Sequence, residues 1–315
     1  MIKELKIGNW KLKIFLLILF SLILSLKSAS VALAQEQKGI TVIPSIAHVD
    51  LATDPPEYEL TYVNNTTADI TLNLSVQDFT ELEDSYKLAF LTPQDAANYK
   101  YSLSSWISFE NPQLQLSPGE KKSVKVFIDK NRITKGGHYA SILAEIGPSA
   151  GAKAINIKGI LSSLLFVRAS TGLEVEEGKI SDFMPLKDNI EYPDTYLVRF
   201  ENTGNVFVTP YGLIQVYDPL GNLVAKGVFN ENSLDSLPES IRRYNTTVQT
   251  YQKVLLPGFY TATVSLHFGK TNKKTSTTVK FFSQGMFDFP KIGLGLILIL
   301  LASLYLHKRL SRKSS

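Results

Sequence analysis

Apolar and polar residues alternate along the middle of this chain. Ile70, Leu72, Leu74 and Val76 face one way against Asp69, Thr71, Asn73 and Ser75, and Tyr260, Ala262, Val264, Leu266 and Phe268 oppose Thr261, Thr263, Ser265 and His267. A period of two sends successive side chains to opposite faces, which marks half-buried strands. From Gln35 to about Gly285 no helical period is sustained, and Gly, Pro, Asn and Asp close the alternating runs. Strands of this kind form antiparallel sheets packed as sandwiches, so the body is predicted to be all-β.

The pattern changes at both ends. Lys3, Lys6, Lys11 and Lys13 precede the apolar run Ile14 to Leu26, and small residues close on Ala32-Leu33-Ala34. This order reads as a secretory signal peptide over residues 1–34. Near the other end, Ile292 to Leu306 is an uncharged stretch of 15 residues. That is short of the ~20 residues a bilayer requires. Met286, Phe287 and Phe289 extend it outward, with Lys291 and Lys308 placed to snorkel, so residues 286–307 are expected to form one transmembrane helix. Lys308, Arg309, Arg312 and Lys313 would orient the helix with the basic tail, residues 308–315, in the cytoplasm. The expected localisation is the cell membrane, single-pass, with an extracellular ectodomain.

Two similar units divide the ectodomain. Tyr58 to Thr66 and Tyr196 to Asn205 each run a strand into an Asn/Thr turn, and Gly136-Gly137-His138-Tyr139 is matched by Pro257-Gly258-Phe259-Tyr260. The repetition reads as a divergent duplication of an immunoglobulin-like sandwich, with one copy over residues 35–170 and the other over 171–285. Pro219-Leu220-Gly221-Asn222 reads as a hairpin turn of the second copy. The first copy carries an extra stretch, Phe79 to Tyr101, whose Pro93 to Ala97 portion suits a short helix or an elaborated loop. Such a loop serves as a binding insertion or as the cover of a sheet edge.

Composition narrows the function. The 315 residues carry a net charge of +4, with much of the basic excess in the terminal segments, so no nucleic-acid partner is expected. Cysteine is absent although export is expected, which fits bacterial or archaeal surface proteins. Gly147-Pro148-Ser149-Ala150-Gly151 matches the nucleophile-elbow pattern, yet the residues after it alternate like a strand where a helix is required. His48, His138 and His267 stand apart without ligand spacing, so neither a metal nor a cofactor is expected. His138 reads as a turn cap and His267 as solvent-exposed. Glu81, Glu83 and Asp84, like Glu174, Glu176 and Glu177, read as solvated loop charges with no apolar wall to raise a pKa. An enzyme is therefore not expected; a hydrolase would require His48 or His138 to meet carboxylates across loops. Asn64, Asn65, Asn73 and Asn245 head sequons that arise by chance in Asn/Thr turns.

Ser105-Trp106-Ile107-Ser108, Leu114 to Glu120 leading into Val124-Lys125-Val126, and Gly136 to Ile142 together resemble the first ectodomain of WxL-interacting surface proteins of Gram-positive bacteria. The resemblance implies a peptidoglycan-binding first sandwich, a partner-binding second sandwich and one membrane anchor. Tyr99, Tyr101, Trp106 and His138 are the candidate ligand or partner contacts, although Trp106 also suits core packing. The expected function is a membrane-anchored surface scaffold that recognises cell-wall polymer or another surface protein. The alternative is a membrane-tethered assembly chaperone that acts by strand addition on exported subunits. Leu161 to Val167 is the only uncharged run that could offer an edge, and a buried central strand explains it more simply.

Overall fold

The computed structural model describes residues 39–85, 87–147, 159–186, 192–251, 256–285, 293 and 295–304. Eighteen strands carry the architecture. Those of the first sandwich are β1 (Ile40–Ile43), β2 (Ile46–Asp50), β3 (Glu57–Asn64), β4 (Ile70–Glu81), β5 (Leu88–Phe90), β6 (Ile107–Phe109), β7 (Gln113–Leu116), β8 (Lys121–Ile128), β9 (Gly137–Gly147) and β10 (Ile160–Arg168). One sheet has the order β1-β3-β8-β6 and the other β2-β10-β9-β4-β5, with β7 also paired to β4. Alternation fixes the inner faces. Leu60, Tyr62, Val124 and Val126 of the first sheet meet Leu72, Leu74 and Ile142 of the second in one buried cluster.

The second sandwich is built from β11 (Gly178–Pro185), β12 (Thr195–Asn202), β13 (Tyr211–Tyr217), β14 (Leu223–Phe229), β15 (Ser240–Thr247), β16 (Gln249–Thr250), β17 (Gly258–Phe268) and β18 (Lys273–Ser283). A three-stranded sheet, β11-β12-β15, packs on a five-stranded one, β16-β14-β13-β17-β18. Tyr196, Val198 and Phe200 meet Ile214, Val216, Tyr260 and Val264 between them. The β13–β14 hairpin turns at Pro219-Leu220-Gly221-Asn222 as expected, and Asp218 Oδ1 accepts the N–H groups of Leu220 and Asn222 at 2.9 and 2.8 Å.

One side-chain device recurs in both sandwiches. Asn64 Nδ2 donates to Ala68 O and Leu116 O at 2.8 and 3.1 Å, while its Oδ1 accepts from Thr66 N at 3.0 Å. Asn202 Nδ2 donates to Val206 O and Ser236 O at 2.8 and 3.0 Å, and its Oδ1 accepts from Gly204 N at 3.0 Å. Both asparagines are wholly buried at the end of equivalent strands. The same turn chemistry in both copies accords with a duplicated unit, and the Asn64 sequon is sealed inside it.

The copies differ in the first strand. In the first sandwich the chain breaks at Pro44, so that β1 pairs with β3 while β2 crosses to the other sheet and runs parallel to β10 from Leu164 to Arg168. In the second, β11 stays with β12 along its length, and among the described residues β18 pairs with β17 alone.

Two expectations about the ends meet different outcomes. Residues 1–38, with the expected signal peptide, lie outside the described residues, as do Lys308, Arg309, Arg312 and Lys313. The single-pass membrane localisation is overturned: no helix among the described residues is long and apolar enough to cross a membrane.

Candidate functional site

The sandwiches join through a mixed apolar and ionic junction and form one unit. Phe79, Tyr101, Tyr139 and Phe166 of the first sandwich are buried together with Leu237 of the second, and Phe207 packs against them. Phe207 lies 5.3 Å from the Phe166 ring edge to face and 5.1 Å from His48. His48 Nε2 meets Asp235 Oδ2 at 2.7 Å, which ties β2 to the loop before β15. A histidine thus does reach a carboxylate across loops. Among the described residues no hydroxyl partners its ring, and Thr209 bonds to Asp235 instead.

Glycine explains how the backbones come so close. Gly136 has φ +99°, and a Cβ there would lie 2.6 Å from Asn205 O. Gly137 N donates to that same oxygen at 2.8 Å. A side chain at Gly136 would push the second sandwich away, and a Cβ at Gly137 would collide with the Tyr139 ring that packs in the junction, so the Gly-Gly pair is required there. After it His138 turns inward and Tyr139 outward, because strand neighbours point to opposite faces.

Charges expected to be solvated are buried here. Glu81 shares the parity of Phe79 on β4, opposite to Leu72 and Leu74 and toward the second sandwich, and its side chain has no exposure; it meets Arg242 at 3.1 Å. Burial pushes its carboxyl above the ordinary range despite Arg242, Ser240 and the Leu237 N–H. Glu176, also buried, accepts from Lys270 N at 2.9 Å and Thr271 N at 3.2 Å and pairs with Arg168 at 2.8 Å. Burial pushes its pKa up, but those donors outweigh it and hold the carboxyl below the ordinary value. Asp84 is exposed as expected and grips Arg199 through both carboxylate oxygens.

The stretch after Phe79 proves to be a cover for a sheet edge. Asp84 N donates to Ile241 O at 3.2 Å and Arg243 N to Ser85 O at 3.1 Å, so residues 84–85 pair along the outer edge of β15. Pro93–Asn98 forms a short helix, α1, capped by Thr92. Asp78 then anchors the return of the chain, accepting from Leu103 N at 2.7 Å, Ser104 N at 2.8 Å and the hydroxyls of Ser102 and Ser104.

The four candidate contacts fall into two pairs. Tyr99 and Tyr101 stack edge to face at 5.6 Å, with Tyr101 sunk in the junction cluster and its hydroxyl pushed by burial above the ordinary range. Trp106 covers His138 at 4.3 Å. His138 is wholly buried within β9, and its ring closes the turn before that strand by bonding to Thr134 while also bonding to Ser102 O; desolvation lowers its pKa. His267 is half-buried and stacked on Tyr211, with Asn272 accepting at 2.9 Å. A cavity of about 290 Å³ opens at one side of the junction beside His48, Arg168 and Lys270, and a cleft of about 770 Å³ at the other beside Tyr99, Lys100 and Glu239. The cations in both are already paired, Arg168 with Glu176, Lys270 with Asp50 and Lys100 with Glu239.

The feature best placed to engage another molecule is the upper half of β10. Leu164 N donates to Ser45 O at 2.9 Å, so even-numbered residues of β10 direct their backbone groups toward β2. Gly159 O accepts from Ile146 N, so odd-numbered ones face β9. Beyond Leu164 the chain of β2 has left for the other sheet at Pro44. Among the described residues nothing pairs with the outward backbone groups of Ile160 and Ser162. Exposed Ile43, Ile46 and Ile160 flank this gap. The sequence run Leu161 to Val167 is therefore central over its lower part and open only at its upper end.

No protein-family model matches the chain, and no curated protein matches it. Among solved structures it is similar to a chaperone–tip adhesin complex of CFA/I fimbriae biogenesis, at 12% identity and TM-score 0.42, covering 78% of this chain and 99% of that one. It is also similar to the class 5 fimbriae chaperone CfaA, at 10% identity and TM-score 0.39, covering 78% and 99%. The Salmonella enterica SafA pilin–SafB chaperone complex matches at 10% identity and TM-score 0.36, covering 78% and 96%. Likeness at this level does not decide what this chain binds.

Proposed function

We propose that the chain is a polypeptide-binding protein of the assembly-chaperone kind, which receives an extended segment of another exported protein as an added strand along Ile160–Ser163. One observation carries this reading: an uncharged sheet edge with outward backbone donors and acceptors, flanked by exposed isoleucines. Unpaired strand edges are templates for further pairing, and proteins that do not use them place lysine there. β18 does so with Lys273, Lys274 and Lys280, whereas β10 has no charge before Arg168. The similar fimbrial structures are described as chaperones, with SafB held to a pilin, but the reading rests on the edge itself.

A photo-crosslinking residue in place of Ser162 tests it, with one in place of Thr278 on β18 as control. Partner segments captured through Ser162, rich in alternating apolar residues, are expected, and Ser162→Pro should abolish capture while the fold persists, because its N–H faces no neighbour. Equal capture at both positions, or unchanged capture by the proline variant, would overturn the proposal.

A further inference from the structure

The five-stranded sheet of the second sandwich differs from the other three in its charge. Strands β13, β14, β16, β17 and β18 contain no aspartate or glutamate. Each other sheet holds at least one carboxylate, such as Glu57, Glu81 or Asp182. Its lysines point outward: Lys274 and Lys280 are exposed on β18, and Lys226 is partly exposed on β14. Lys273 pairs with Glu177, but among the described residues no carboxylate pairs with the other three.

Register places these charges on one flat surface. Lys226 lies opposite Gln215, Gln215 opposite Thr263, and Thr263 opposite Thr278, all in one row across four strands. Three strand spacings put Lys226 about 14 Å from Thr278, and six residues put Lys274 about 20 Å from Lys280. Hydroxyls fill the middle, where Thr263 and Thr278 bond to each other at 3.0 Å. Exposed aromatic pairs bound the two ends: Tyr211 stacked on His267, and Phe259 against Phe282.

We propose that this face binds an anionic polysaccharide. The charge has no carboxylate partner among the described residues and is complementary to a polyanion, while hydroxyl and amide groups between the lysines match the hydroxyls of sugars and the rings suit their apolar faces. Three lysines so widely spaced are too sparse for a duplex with a charge every ~1.7 Å, or for a lipid surface that recruits clusters of roughly 4–8 cations. The surface is separate from the β10 edge, so a polymer and a polypeptide can be held at once.

The test measures binding of the full chain to polygalacturonate and to a phosphodiester-linked phosphomannan, with dextran, phosphatidylglycerol vesicles and duplex DNA as competitors. The variant Lys226→Gln/Lys274→Gln/Lys280→Gln is compared with Lys130→Gln/Lys135→Gln on the first sandwich. Binding to either polyanionic polysaccharide, weakened by added salt and at least tenfold by the triple change but not by the double change, supports the proposal; which polymer binds identifies its carboxylate or phosphodiester source. Equal binding by the triple variant, stronger binding to vesicles or DNA, or no binding to either polymer would overturn it. Melting temperatures of the variants, expected to match the parent because the lysines are on the surface, separate lost binding from lost fold.

Discussion

The two sandwiches share an asparagine staple and a Gly-aromatic corner, yet they treat their edges in opposite ways. In the second, the first strand stays in its own sheet and leaves β18 open along its length, with lysines to discourage pairing. In the first, the switch at Pro44 seals β10 from Leu164 onward and leaves the outward backbone groups of Ile160 and Ser162, on an uncharged stretch, unpaired among the described residues. Two sandwiches of similar build thus carry a guarded edge and an available one. The corner glycines diverge in the same manner: Gly136-Gly137 receives the backbone of the neighbouring sandwich, whereas Gly258 packs on Pro219 of its own hairpin.

The largest expected effect tests whether the copies are equal partners in stability. Tyr139, wholly buried between the sandwiches, has no counterpart contact in the second copy, where Tyr260 lies in the internal core. Tyr139→Ala should cost about 4 kcal/mol. It should also split thermal unfolding into two transitions, seen by calorimetry; a single transition would show that the ionic contacts suffice to couple them. Next, Asn64→Ala and Asn202→Ala should each cost about 2–3 kcal/mol in denaturant titration, since each leaves buried backbone carbonyls and an amide without partners. A large inequality would break the equivalence of the staples.

Smaller effects concern pH. The folded state holds the Glu81 proton above the ordinary value of 4.5, so the stability this group contributes is full below that pH and declines as pH rises through its raised value. Glu176 is opposite: its contribution is full above 4.5 and is lost as pH falls through its lowered value. Glu81→Gln should remove a downward slope of stability above pH 4.5, and Glu176→Gln an upward slope below it, read from urea midpoints across pH 3 to 8. The same slope from both variants would show that the junction, with carboxylates of both kinds, does not titrate as the local contacts require.

Much of this was legible in the sequence. Period-two alternation located the sandwich strands, and the paired Asn/Thr turns and Gly-aromatic corners pointed to two units of similar build. The junction was not legible. Glu81, Glu176 and His138 sit among polar neighbours in the chain, and only the meeting of two sandwiches buries them. A partial signal existed for Glu81, because it stands two residues beyond the aromatic Phe79 on β4 and so shares its face, opposite to that of Leu72 and Leu74. Nothing local distinguishes the upper from the lower half of β10, since the difference is made by Pro44, over a hundred residues earlier.

That proline also limits how tightly the open edge can hold anything. An incoming segment has room for about 13 Å of pairing before it meets the crossing chain, so few backbone bonds can form. Affinity differences among related complexes lie mainly in dissociation, and a seat this short favours quick release. Under the proposed strand addition, the architecture suits short residence of a bound segment, set by where one strand changes sheets.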